Sequence, residues 1–128
     1  MPYLIDTNVA IHLRDRDPAI RSKVQALGDG ILLSVISRVE LEGGVYNDPS
    51  KAASRRVGLD LVLASVLVVP FDDVAAATYG SIVAALGFSR RKLIDRMIAA
   101  QALINGATLV TMNPGDFNDV PGLQVMAW

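Results

Sequence analysis

Asp6, Glu40, Asp95 and Asp116 are the side chains of this 128-residue sequence whose types and spacing could do chemistry. Asp6 stands directly behind the short β-prone run Tyr3-Leu4-Ile5 and opens Asp6-Thr7-Asn8, a dense group of helix-capping residues, so a strand passing straight into a helix is expected there. A 100° step per residue along Val35 to Val45 puts Glu40 in the stripe made by Ile36, Val39 and Gly43, facing inward, with Glu42 beside Arg38 on the outer side. The same step puts Asp95 on a stripe with Ile98, Ala99 and Ala102, again facing a sheet.

In an open α/β sheet a strand ends, and the helix after it begins, at one edge. Asp6 behind the first strand, Glu40 in the helix after the second, and Asp95 at the start of the helix before the fourth are therefore expected on one rim. Asp116, across a Pro-Gly turn from the strand Thr108 to Val110, reaches the same rim. Carboxylates about 4 Å apart repel by about 4 kcal/mol at an effective dielectric near 20, so such a cluster must be neutralised by protons or by a cation. An all-oxygen set in a sequence with no cysteine and one histidine suits Mg²⁺ or Mn²⁺ far better than Zn²⁺. A carboxylate-held ion of that kind activates water and polarises phosphoryl oxygens, which points to phosphodiester hydrolysis. Arg90, Arg91, Lys92 and Arg96 around Asp95 then read as a local funnel for the flanking phosphates. His12, six residues beyond Asp6, is expected on the surface or in packing, with no catalytic role.

These acids need elements to position them. Short β-prone runs (Tyr3 to Ile5, Ile31 to Leu33, Val66 to Val69, Thr108 to Val110, Gln124 to Met126) alternate with segments of helical period, as in a parallel sheet covered by helices. The apolar stretch Leu59 to Val69 is split near Ser65 into the end of a helix (Ala52 to Ala64) and a strand. A second helix, Asp73 to Leu86, presents an alanine-rich face (Ala75, Ala76, Ala77, Ala84, Ala85) suited to close packing. Turn signals are spread evenly, with no repeat or linker, so residues 1–128 are expected to form a single α/β domain with a core large enough to fold without disulfides.

The absence of cysteine excludes disulfide scaffolds, thiolate zinc sites and cysteine nucleophiles and is compatible with a reducing cytosol. Leu61 to Phe71 is too short to span a bilayer and the N-terminus lacks a signal-peptide layout, so a soluble, cytoplasmic protein with no membrane partner is expected. A formal net charge of −1 excludes a protein that holds nucleic acid mainly by global charge. Hydrophobic residues make up 52% of the sequence, a surplus for a small monomer, so part of the apolar surface is expected to meet a partner.

Leu4-Ile5-Asp6-Thr7-Asn8, Ser34 to Val45, Ile94 to Leu103 and Thr108 to Phe117 occur in order and resemble the four signature blocks of PIN-domain ribonucleases. The length and the closing Val120 to Val125 are similar to VapC toxins of toxin–antitoxin pairs. The resemblance implies a three-layer fold with a five-stranded parallel sheet, and a metal-dependent endoribonuclease acting on tRNA or rRNA. It also implies a homodimer inhibited by a VapB-type antitoxin. Carried over by position, Asp6, Glu40 and Asp95 bind Mg²⁺ or Mn²⁺ with Asp116 as fourth acid, and Thr7, Asn8, Ser37, Thr111 and Asn113 are the polar residues around them. Many family members have an acid where Asn113 stands here. Asp116, three residues on, is left to ligate a second ion, hold water or stabilise the turn.

Three other readings stand beside this one. A phospho-receiver or phosphatase-like domain using Asp6 as nucleophile would want an Asp-x-Asp pair after the first strand and a late lysine, whereas the last lysine is Lys92. A non-catalytic PIN-like module binding RNA or protein would not need all four acids. A DNA-binding regulator lacks a basic recognition helix and leaves Asp6 and Glu40 unexplained.

Overall fold

The computed structural model describes residues 2–128. Five strands, β1 (Tyr3–Ile5), β2 (Ile31–Ser34), β3 (Leu67–Val69), β4 (Thr108–Thr111) and β5 (Val125–Ala127), form one parallel sheet in the order β3-β2-β1-β4-β5. The helices are α1 (Thr7–Arg14), α2 (Pro18–Ala26), α3 (Val35–Tyr46), α4 (Ala52–Ser65), α5 (Asp73–Leu86) and α6 (Leu93–Ile104).

Strand alternation divides the core in two. Leu4, Leu32 and Leu109 point to one face, where they meet Ile82 of α5, Ile98, Ala99 and Ala102 of α6, and Phe117. Ile5, Leu33 and Val110 point to the other, against Val9 and Ala10 of α1, Ile20 of α2, Leu41 and Val45 of α3 and Leu59 of α4. Both faces of the sheet are covered, which explains why its strands read as continuous apolar runs. The result is three layers, as the sequence predicts. Full burial of each such side chain contributes about 1.5–3 kcal/mol.

The sheet is pinned to α6 by a buried polar side chain. Gln101 accepts from Ser34 Oγ and donates through Nε2 to the carbonyls of Val69 (3.1 Å) and Pro70 (2.9 Å). These bonds occupy backbone oxygens where β3 leaves the sheet, so a polar residue at the centre of the fold carries no unsatisfied side-chain atom.

The expected strands and the split at Ser65 match the observed elements to within a residue or two. Two details differ. Of the alanines on α5, Ala75 is buried, whereas Ala76, Ala77, Ala84 and Ala85 face outward. The inward stripe of α5 runs through Ala75, Tyr79, Ile82 and Leu86, so most of the alanine face is surface. Glu40 likewise does not lie on an inward stripe: α3 buries Ser37, Leu41 and Val45, while Val39 is 66% exposed. Apolar residues at Ile36 and Val39 suggest a core face one position away from the true one, which is marked by the small Ser37.

Candidate active site

The chain builds β1, β2 and β3 outward in one direction and then returns to place β4 on the other side of β1. The direction reverses between β1 and β4, and in such sheets the crevice beyond the carboxyl ends of these strands is where ligands bind. Asp6 stands there. It caps α1, its Oδ1 accepting from the Thr7 backbone N–H at 2.7 Å, while its Oδ2 accepts from Thr111 Oγ1 at 2.9 Å. Thr111 Oγ1 in turn accepts from the Asn113 backbone N–H at 3.0 Å, so the turn after β4 orients Asp6 through Thr111. The opening residues thus serve as both helix cap and site.

A second thread orients Glu40. Thr7 Oγ1 lies 2.9 Å from Glu40 Oε1 and 2.8 Å from Ser37 Oγ. The Thr7 hydroxyl has one proton and a carboxylate oxygen only accepts, so Thr7 donates to Glu40 and Ser37 donates to Thr7. Glu40, one helical step off the buried Ser37-Leu41-Val45 stripe, sits on the cleft wall and not under it.

Asp6, Glu40, Asp95 and Asp116 line the same cleft of about 700 Å³, with Thr7, Asn8 and Asn113 beside them. Ser37 and Thr111 are fully buried behind it. Asp95 sits in the first turn of α6, favoured by the helix dipole, yet its carboxyl is pushed up to about 6. Burial is the main cause, followed by the negative charges of Asp6, Asp116 and Glu40, with Lys92 acting the other way. Burial likewise raises the Asp6 carboxyl, against the two hydrogen bonds it accepts, with Asp116 adding to the rise. The four acids feel one another, and among the described residues none of them forms an ion pair.

The donors are all oxygen, hard and negatively charged, which fits a hard divalent cation. Among the described residues no three acids or histidines are drawn together into a ready cage. The four acids line the cleft as an open set, as mutual repulsion between like charges dictates.

The expected basic funnel is placed differently. Arg96 is 4% exposed; its Nη1 donates to the Gly87 carbonyl at 2.7 Å and its Nη2 lies 3.7 Å from Asp119. It ties the end of α5 to α6 and is not on the rim, because its neighbour Asp95 occupies the cleft side of that turn. Lys92 also leans on Asp119, at 3.8 Å, while Arg90 and Arg91 are exposed outside the cleft lining. His12 is half exposed and bonded to Asp17, as expected of a surface residue.

Arg14, Asn47 and Arg55 also line the cleft, and no sequence feature singled them out. The signal was helical spacing. Thr7, Ile11 and Arg14 follow i, i+4, i+7 on α1, and Glu40, Gly44 and Asn47 follow the same spacing from α3, so a stripe drawn from each site residue reaches them.

Known proteins extend this picture. The PIN domain family model matches residues 3–123, and the chain belongs to that family. Within it, the similarity runs to VapC proteins. Over its full length the chain is 28% identical to Ribonuclease VapC2 of Rickettsia felis and 26% identical to the tRNA(fMet)-specific endonuclease VapC of Shigella flexneri, covering 98% of each. The crystal structure of VapBC2 from Rickettsia felis bound to a DNA fragment from their promoter superposes with a TM-score of 0.86 at 26% identity, covering 100% of this chain and 99% of that one.

Proposed function

We propose that this chain, acting as a single domain, is a metal-dependent endoribonuclease that hydrolyses phosphodiester bonds in tRNA or rRNA. It is the toxin of a type II toxin–antitoxin pair and acts in the cytoplasm, as a homodimer restrained by a VapB-type antitoxin. The observation that carries this reading is the set of four acids lining one cleft at the sheet's reversal point, with no base paired to them among the described residues.

Asp6, Glu40 and Asp95 are the residues that would hold Mg²⁺ or Mn²⁺, with Asp116 as the fourth acid of the lining. A divalent ion held by carboxylates supplies a nucleophile from water and polarises the phosphoryl oxygen. The protein's share is orientation. Thr111 and the Asn113 N–H fix Asp6, and Ser37 and Thr7 fix Glu40, so neither carboxylate has to reorganise when an ion or phosphate arrives. Asp116, exposed and close enough to raise both Asp6 and Asp95, is suited to hold a water or a second ion.

The purified, antitoxin-free chain incubated with total RNA and Mg²⁺ or Mn²⁺ is expected to release discrete fragments that vanish in EDTA and in Asp6→Asn and Asp95→Asn. Intact RNA in every sample from folded protein would favour the non-catalytic binding module instead.

A further inference from the structure

The cleft is lined by bases as well as acids. Arg14, at the end of α1, is 5% exposed, and two glycines make room for it: a Cβ on Gly44 would lie 3.0 Å from its Nη1, and one on Gly58 would lie 2.2 Å from its carbonyl oxygen. Its Nε and Nη2 lean on Asp15, at 3.0 and 3.3 Å. Arg55 is held from α4, its Nη1 donating to the Gly44 carbonyl and to Asn47 Oδ1, both at 2.8 Å. Arg14 and Arg55 line the carboxylate cleft and also a second, shallow pocket of about 200 Å³, whose wall adds Arg16 and Lys51. The two depressions share these arginines and so adjoin, the acids lining one and a patch with four bases and one acid, Asp15, lining the other.

Arg16 adds an independent sign. It is the non-glycine residue with a positive φ, 61°, among the described residues. A left-handed backbone favours glycine, and an arginine kept there spends conformational energy while its exposed side chain joins the pocket wall. Shape and charge together match a polyanion strand, whose successive phosphates would pass from the carboxylate cleft over Arg55 to Arg16 and Lys51.

We propose that Arg55, Arg16 and Lys51, set around the buried Arg14, form the track that binds the backbone phosphates of the single-stranded RNA entering or leaving the carboxylate cleft. The assignment rests on the nuclease reading and replaces Arg90, Arg91, Lys92 and Arg96 as the phosphate-binding surface.

The test uses the full chain with Asp6→Asn, which removes cleavage, and a fluorescein-labelled 16-nucleotide oligouridylate in Mg²⁺, with anisotropy followed from 50 to 300 mM KCl. Adding Arg16→Gly and Lys51→Gln is expected to weaken binding about tenfold and to flatten the log–log salt dependence by about 1.4, since each single-strand phosphate contact contributes about 0.7. Arg16→Gly alone should leave Tm unchanged or higher, because glycine accepts that backbone. A merely structural arginine would lower Tm and leave the salt slope alone. An unchanged slope, or a loss that falls on the Arg90→Gln and Arg91→Gln pair instead, overturns the track. Cleavage of total RNA by the unmodified chain separates the two readings: RNA cut normally with no effect of Arg16 and Lys51 sinks the track alone. RNA left intact while the slope still falls supports the track and sinks the nuclease.

Discussion

Glu40 and Glu42 stand two residues apart on α3 in opposite surroundings. Glu42 accepts from Arg56 Nη1 at 2.6 Å and from Arg38 Nε at 3.4 Å, and these cations, Arg56 first, hold its carboxyl below the usual range. Glu40 receives a hydroxyl, from Thr7, and looks across a cleft at three more acids. Other acids of the surface repeat the contrast. Asp15, Asp60 and Asp119 each have an arginine or lysine within 4.0 Å, while Asp6, Glu40, Asp95 and Asp116 have none among the described residues. Glu42, Asp15, Asp60 and Asp119 are thus neutralised where they stand, whereas the four acids gathered in the cleft share it with Arg14 and Arg55 without pairing to either. The repulsion left in the cleft would be offset by a bound cation, so the proposed metal site carries a cost in the stability of the metal-free fold.

The sharpest break of this contrast removes one cleft acid. Asp6→Asn or Asp95→Asn should lower RNA cleavage by about 100- to 1,000-fold, the scale on which one charge-stabilising group is felt. Glu42→Gln, on the paired side, should leave cleavage unchanged in the same gel assay. A loss of comparable size at Glu42 would erase the distinction. Thr111→Val comes next. It removes the hydroxyl that orients Asp6 and leaves the charge, so cleavage should fall about 10- to 100-fold, measured as kcat/KM on the released fragment.

Stability should move in the other direction. Asp95 titrates near 6 in the fold against 3.8 for its ordinary value, so between these pH values the folded chain binds more protons than the unfolded one. Stability then falls as pH rises from about 4 to about 6, and the contribution stays lost above. In EDTA at pH 7.5, Asp95→Asn should therefore be more stable than the parent by about 1 kcal/mol, after allowance for solvent screening of a partly exposed group. The difference should vanish near pH 4 in urea titrations. Glu42→Gln should show the smallest effect and the opposite sign, a loss within about 1 kcal/mol. Its folded pKa is lowered, so that loss is present above the unfolded value of 4.5 and disappears as pH drops through the folded one.

The sheet was legible in the sequence because both its faces are buried and its strands are short apolar runs bounded by turns. Asp6 was legible because a capping acid directly behind a strand can lie at one place only, the sheet edge. Glu40 was found for the right edge but with the wrong orientation. Ile36 and Val39 imitate a core stripe, whereas a small Ser37 leads the true one, and hydrophobic periodicity is blind to serine used as packing. Arg96 was misjudged because adjacent charges in Arg90 to Arg96 read as one patch. A helix turns each residue by 100°, sending Asp95 to the cleft and Arg96 to Gly87 and Asp119. Arg14 and Arg55 lie 41 positions apart, and only the α1–α4 packing at Gly58 brings them to one wall.

Calorimetric titration of Mn²⁺ into the metal-free chain tests the central claim most directly, because it reads the unpaired carboxylates without needing the RNA target. Saturable binding that is lost in Asp6→Asn and in Asp95→Asn and kept in Glu42→Gln is the predicted result. No binding by the folded parent chain, or binding that survives both aspartate substitutions, would contradict it.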